Sequence, residues 1–181
     1  RRGRRFVDGD VAEQTAVLAA AIDDLRPHVV VTYDPQGGYG HPDHIHTHRV
    51  TTAAVDAAQW EVPKFYWTVT SATAIAAELT ALADVPSGWT RVSGDDIWFG
   101  VPDDAIDAAL DITEHLSAKV AALRAHATQV QVSPDGRACA LSNGVALPVG
   151  ATEFYTLAAG STGERDGRGW ETDLLAGLSL G

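Results

Sequence analysis

The order of patterns along the chain predicts an α/β fold: a Rossmann-like, mainly parallel sheet flanked by helices, in one domain over residues 1–181. Three observations carry this. Helix-like and strand-like stretches alternate, which is the signature of strands joined by helical crossovers. The first strand, His28-Val29-Val30-Val31-Thr32-Tyr33, is a continuous β-branched run of the kind buried on both faces. No internal repeat or interdomain linker interrupts the 181 residues.

The elements follow in order. Residues 11–26 carry Val11, Ala16, Leu18, Ile22 and Leu25 near one helical stripe, and Pro27 stops the helix. After the strand, Asp34-Pro35-Gln36-Gly37-Gly38-Tyr39-Gly40 is a loop whose glycines permit unusual backbone angles. Pro42 stands where a first helical residue belongs, and the helix continues from Ile45 through Ala58. Lys64 to Val69 is strand-like, Ala72 to Ala83 an alanine-rich helix, and Trp98 to Val101 a short strand. Asp103 to His126 is expected to be the longest helix, with Ile106, Leu110, Leu116, Val120 and Leu123 facing the core. Ser133-Pro134-Asp135-Gly136 is a turn, and Glu153 to Leu157 a strand. The tail from Gly160 is expected to be irregular, or ordered only through Trp170, Leu174 and Leu175.

Composition limits the function. A net charge of -11 argues against nucleic acid, since phosphate binding needs a basic face. The basic run Arg1-Arg2-Gly3-Arg4-Arg5 has no interleaved aromatics and reads as a solvated linker or a loop beside an anionic ligand rather than a nucleic-acid or anion patch. No run of about 18 apolar residues is present, so no membrane partner is expected. The single Cys139 gives no disulfide framework, which fits a cytoplasmic protein. The chain starts at Arg1 and holds no methionine, so a fragment or processed chain is expected.

Four of the seven histidines, His41, His44, His46 and His48, fall within eight residues, just after the first strand and at the start of a helix. Open α/β sheets place ligands there, outside the carboxyl ends of the strands. The segment lacks the Gly-Lys-Ser/Thr of a P-loop, the G-x-G-x-x-G of a dinucleotide site and the G-x-S-x-G of a serine hydrolase. Imidazole and carboxylate remain, the groups of zinc hydrolysis. Spacing alone leaves open a local site of His41, His44 and His48. The H-E-x-x-H glutamate base is missing, however, because Ile45, His46 and Thr47 lie between His44 and His48. His48 reads as structural or solvated, His46 as exposed, and His28 and His115 as structural.

The segment Tyr39-Gly40-His41-Pro42-Asp43-His44, after a strand ending Thr32-Tyr33-Asp34-Pro35, resembles the second motif of the LmbE-like (GlcNAc-phosphatidylinositol de-N-acetylase) zinc deacetylases. Within that family it is most similar to the branch acting on N-acetylglucosaminyl-inositol in mycothiol biosynthesis. Arg26 to Val31, Val62 to Trp67, Lys119 to Gln129 and Gly169 to Leu178 support the likeness, which covers essentially the whole chain. The resemblance implies an LmbE-like fold, one zinc ion and a small amino-sugar substrate. It makes His44 a zinc ligand, and His41 the group that stabilises developing charge and protonates the leaving amine. Asp43 becomes the support of His41, and Tyr39 the mobile-loop residue reaching the oxyanion.

The family's first motif, A-H-P-D-D-E, supplies the other zinc ligands and the base, and it does not occur here. The resemblance therefore implies that N-terminal βα units of roughly 60–100 residues are missing, and that the chain alone is inactive. An amidase acting on mycothiol S-conjugates and a non-enzymatic sugar-binding domain are the competing readings.

Overall fold

The computed structural model describes residues 5–179. Arg1 to Arg4 of the basic run lie outside the described residues; Arg5 pairs with Asp8 at 2.8 Å. In chain order the strands are β1 (Val29–Tyr33), β2 (Lys64–Ser71), β3 (Gly100–Val101), β4 (Ala108–Asp111), β5 (Gln131–Val132), β6 (Ala138–Ala140), β7 (Ala146–Pro148) and β8 (Thr152–Gly160). The helices are α1 (Val11–Leu25), the single turn α2 (Gly37–Gly40), α3 (Pro42–Ala57), α4 (Ala72–Ala81) and α5 (Leu116–Ala125). The described residues fall into two compact units. One draws on residues 5–69, Asp104–Ala109 and residues 154–179, the other on Thr70–Asp103 and Leu110–Glu153.

In the first unit the strand order is β1-β2-β8-β4. β1 runs parallel to β2, with Val29 opposite Lys64 and Tyr33 opposite Thr68. β8 runs antiparallel to β2, from the Lys64–Gly160 pair to the Val69–Phe154 pair. The α/β sheet flanked by helices is as expected, with parallel β1–β2 and β2–β3 pairs, but it is mixed rather than purely parallel because of β8. The reason lies in the connections. A helical crossover forces a parallel return, and β8 is preceded by strands rather than by a helix.

α1 begins at Asp10, whose side chain accepts a hydrogen bond from the Glu13 N–H at 2.9 Å, and it ends at Arg26 in the left-handed region (φ 48). Its buried stripe, Ala19 and Ile22, packs with Ala54 of α3 and with Val62, and Val30 of β1 lies against this cluster. Because side chains alternate along a strand, Val31 points to the opposite face and stays 45% exposed. The β-branched run is therefore covered on one face among the described residues, not on two.

A polar knot lies elsewhere in the same unit. Glu171 is wholly buried, and its carboxylate accepts hydrogen bonds from Lys64 Nζ, the Tyr66 hydroxyl and the Gly163 N–H, each at 2.5 Å. Burial alone would raise the Glu171 carboxyl. The bonds from Lys64, Tyr66 and Gly163 outweigh it and hold the group below the usual carboxylate range. The same burial and carboxylate push the Tyr66 hydroxyl far up. The irregular tail is thereby fixed to the sheet through Glu171 as well as through buried Trp170.

The long helix expected over Asp103 to His126 is not formed. That stretch holds short 3-10 turns at Asp103–Ala105 and Thr113–His115, strand β4, and only then α5. The apolar stripe at Ile106 and Leu110 also fits a strand alternation. Pairing decides it, because Asp107 N–H donates to the Tyr155 carbonyl at 2.9 Å and its carboxylate accepts from Leu157 N–H at 2.8 Å. Tertiary hydrogen bonds override helix propensity here.

In the second unit Ser71 caps α4, accepting from Ala74 N–H at 3.0 Å and donating to Asp103 at 2.9 Å. β3 extends the far end of β2 in parallel. β5, β6 and β7 form an antiparallel sheet, with Leu82, Ala138 and Ala146 at its core.

Candidate active site

The histidine-bearing segment starts where β1 stops. Asp34, buried at the strand end, accepts the Gly38 N–H at 2.8 Å through Oδ1, and its carbonyl accepts the Gly37 N–H at 2.9 Å. These bonds fold the glycine loop back as α2, whose interior leaves helical angles at Gly38 (φ 64, ψ -109). Gly37 (φ 68) has no substitute: a Cβ there would stand 2.7 Å from the Ile45 nitrogen and 2.9 Å from the His44 Cβ. The loop is thus pressed directly onto the first turn of α3.

α3 begins at His41, whose Nδ1 accepts the Asp43 N–H at 3.2 Å; Pro42 supplies a first residue without a needed donor, and Asp43 adds negative charge at the positive helix end. Filling Nδ1 in this way leaves the neutral His41 ring with its proton on Nε2. The Asp43 carboxylate accepts the Val7 N–H at 3.0 Å, tying the 3-10 turn Phe6–Asp8 to the site. Asp43 thus touches His41 through its backbone, while its side chain holds a neighbouring segment.

His44 is gripped on three sides. Its Nδ1 donates to the Gly37 carbonyl at 3.2 Å. Its ring stacks on Tyr33 with centroids 4.0 Å apart and planes 6° from parallel. Tyr39 meets it edge-on at 5.2 Å, and the His41 ring lies 4.9 Å away. Burial lowers its pKa, and His41 adds to the effect against the opposing pull of the Gly37 carbonyl. A neutral imidazole with Nδ1–H committed to a carbonyl offers Nε2 as a bare lone pair. That is the arrangement of a metal-binding histidine and the carbonyl behind it. Burial also raises the Tyr39 pKa, with a further contribution from Tyr33, so the hydroxyl keeps its proton.

The other histidines separate by their partners. His46 is buried, not exposed as its sequence position suggests: Nε2 donates to Gln14 Oε1 at 2.5 Å and its ring meets Phe6 edge-on at 5.0 Å. Here α3 packs on α1, so a position one residue off the His44 stripe still faces protein. His48 donates from Nδ1 to the Tyr33 carbonyl at 2.9 Å and touches Trp67. His126 donates back to Ala122 of its own helix at 2.8 Å, and Lys119 bonds the Gly150 carbonyl and Glu153.

The structure thus brings Tyr39, His41 and His44 together, with Asp43 beside them. It adds three groups to which the sequence assigned no role: Tyr33 under His44, the Gly37 carbonyl behind it, and Asp34 anchoring the loop. Among the described residues no cluster of three or more His, Cys, Asp or Glu side chains could hold a metal ion. His44 by chemistry fits one zinc position, and the full set of donors does not occur in these residues.

Comparison with known proteins bears on the same segment. The profile of the family described as PIG-L, GlcNAc-PI de-N-acetylase, matches residues 4–55. A 1D-myo-inositol 2-acetamido-2-deoxy-alpha-D-glucopyranoside deacetylase of Mycolicibacterium vanbaalenii is 72% identical over 182 residues, covering 100% of this chain and 64% of the relative. Proteins of the same name from Mycolicibacterium gilvum and Mycolicibacterium smegmatis are 70% and 63% identical, each over 99% of this chain. The chain spans 64%, 64% and 63% of the length of these three relatives.

Proposed function

We propose that the chain belongs to the GlcNAc-PI de-N-acetylase family, whose profile matches residues 4–55, and that it carries part of the active site of a zinc-dependent hydrolase. In this reading a longer polypeptide, of which residues 1–181 are the C-terminal portion of one domain, removes the acetyl group of N-acetylglucosaminyl-inositol. The observation that carries the reading is His44, a neutral imidazole anchored through Nδ1 and flanked by His41 and Tyr39. The names of the relatives supply the substrate class.

His44 would hold the metal through Nε2. Zinc bound there would supply a water with a pKa of about 7 and polarise the amide carbonyl. As the imidazolium, with Nδ1 protonated and released from the Asp43 N–H, His41 donates from Nε2 to the developing oxyanion and passes that proton to the leaving amine, returning to a neutral ring. Without that proton an amide nitrogen departs very poorly. Tyr39, kept protonated, adds a second donor to the oxyanion, worth about 3 kcal/mol where such donors are preorganised. Asp43 fixes the entry of α3 and so the direction of His41. The remaining zinc ligands and the base come from an H-P-D-D segment elsewhere in the longer polypeptide. Among the described residues no helix is long and apolar enough to cross a membrane. In this reading the substrate is a small amino sugar, met in the cytoplasm.

The test is an assay of acetate release from N-acetylglucosaminyl-inositol, run beside cleavage of a mycothiol S-conjugate. A polypeptide joining this chain to the H-P-D-D segment turns over the first substrate when loaded with zinc. The 181-residue chain does not. Cleavage of the S-conjugate alone would replace the deacetylase reading with the amidase one.

A further inference from the structure

The second unit contains a cavity of about 550 Å³ between α4, α5 and the turns flanking β6 and β7. That volume lies within the range of about 300–1,000 Å³ common for small-molecule sites. Its floor is apolar, with Leu82, Leu116 and Val120 among the lining residues, and four charged side chains, Glu78, Arg124, Asp135 and Arg137, join them. None of these belongs to the histidine site.

Two of the four charges are uncommitted. The Glu78 carboxylate makes no hydrogen bond or ion pair among the described residues. The cation whose charge it feels, Lys119, is engaged instead by Glu153 at 3.2 Å and by the Gly150 carbonyl at 3.1 Å. A half-buried carboxylate without a partner gives up hydration for nothing, unless a ligand restores the lost bonds. Burial accordingly raises the Glu78 pKa. The exposed Arg137 guanidinium likewise makes no hydrogen bond or ion pair among the described residues, and the Asp135 carboxylate near it is committed to the Ser133 hydroxyl at 2.6 Å and the Arg137 N–H at 3.1 Å. Arg124 is held in place, its Nη2 donating to the Ser133 and Pro134 carbonyls at 3.4 and 3.2 Å.

The wall is shaped around Glu78. Gly150 lies outside the left-handed region, so its backbone conformation is one any residue adopts, yet a Cβ there would stand 2.9 and 3.0 Å from the two Glu78 carboxylate oxygens. Glycine at 150 leaves room for the carboxylate beside the β7–β8 turn, and a side chain there would shift it.

We propose that this cavity is a second ligand site, binding a small molecule that carries an amine or hydroxyl donor and an anionic phosphate or carboxylate. The donor pairs with Glu78, the anion pairs with Arg137 beside Arg124, and the hydrophobic floor takes the body of the ligand. A guanidinium with free donors suits a phosphate or carboxylate geometrically.

Isothermal titration of the 181-residue chain with glucosamine 6-phosphate, glucose 6-phosphate and glucosamine tests this, with chelator present so that His44 plays no part. Glucosamine 6-phosphate binds saturably at one site and most tightly of the three. Glu78→Gln weakens it about tenfold, as loss of a charge-assisted bond does, and changes glucose 6-phosphate much less. Arg137→Gln weakens both phosphates and leaves glucosamine unchanged. Gly150→Ala, which displaces the carboxylate, reproduces the Glu78→Gln result in a chain whose circular dichroism is that of the parent. Absence of saturable binding by all three compounds, or binding indifferent to Glu78→Gln and Arg137→Gln, overturns the proposal. Either result leaves the proposed hydrolysis untouched, because that reaction rests on the other unit.

Discussion

Tyr33 holds two histidines at once: its ring lies flat on His44 at 4.0 Å, and its carbonyl accepts the His48 Nδ1–H at 2.9 Å. One residue at the end of β1 therefore sets both the tilt of the proposed zinc ligand and the seating of the helix that carries it.

Truncating that ring tests the support. Tyr33→Phe keeps a flat ring and should leave zinc affinity within about twofold in a polypeptide joining this chain to the proposed H-P-D-D segment. Tyr33→Leu should weaken it roughly tenfold, the lower end of what losing a supporting contact costs a metal site. Competition against a chelating dye measures both. Equal affinities for Phe and Leu would show that the stack holds nothing.

His44 and His41 should separate under mutation, because one offers a bare Nε2 and the other carries a proton there. In the same polypeptide, His44→Ala should lose its bound zinc, and a stoichiometric metal content would remove the ligand assignment. His41→Ala should keep its zinc while kcat falls by about 10²–10⁴-fold, the usual worth of a positioned acid. Metal analysis of each purified variant, beside its turnover, distinguishes the two roles.

The glycine loop offers an internal comparison. Gly37 and Gly38 both have positive φ, of 68 and 64. A Cβ at Gly38 meets nothing within 4 Å, whereas one at Gly37 strikes the Ile45 nitrogen and His44. Gly38→Ala should cost about 1 kcal/mol from backbone strain alone, and Gly37→Ala about 3 kcal/mol or more. Urea unfolding of the two variants reads the difference. Equal losses would mean that the loop can lift off α3 freely.

These comparisons show where the sequence was readable. Pro42 and the glycines before it marked the loop-to-helix junction, because proline and positive-φ glycine act through the local backbone alone. The chemistry of Tyr39, His41 and His44 could be recognised as a motif, and β1, α1 and α3 as local periodicities. What escaped depends on partners distant in sequence. His46 is buried because Gln14, 32 residues away, receives its proton. The stretch around Asp107 is a strand because Tyr155 and Leu157 bond to it, although its stripe also fits a helix. The direction of β8 is likewise a tertiary property. Tyr33 stood in the motif's flank, but nothing in its spacing announces a ring stacked on His44.

The same distance in sequence hides the buried Lys64–Glu171 pair, whose pH response has a definite sign. Glu171 is ionised in the folded chain and titrates below its usual range there, near about 4.3 when unfolded. The folded state thus binds fewer protons than the unfolded state in this window. The stabilisation is fully present above the unfolded value and is lost as pH falls through the lower, folded one. Glu171→Gln strands the Lys64 ammonium, which is 0% exposed. It should cost about 3–5 kcal/mol at neutral pH, as removal of one partner from a buried pair does. Urea unfolding of parent and variant should show this gap narrowing below about pH 4 as the parent's own carboxyl takes up its proton. A gap that stays constant down to acid pH would mean that Glu171 is protonated in the native chain, and the ion pair would have to be redrawn as a neutral hydrogen bond.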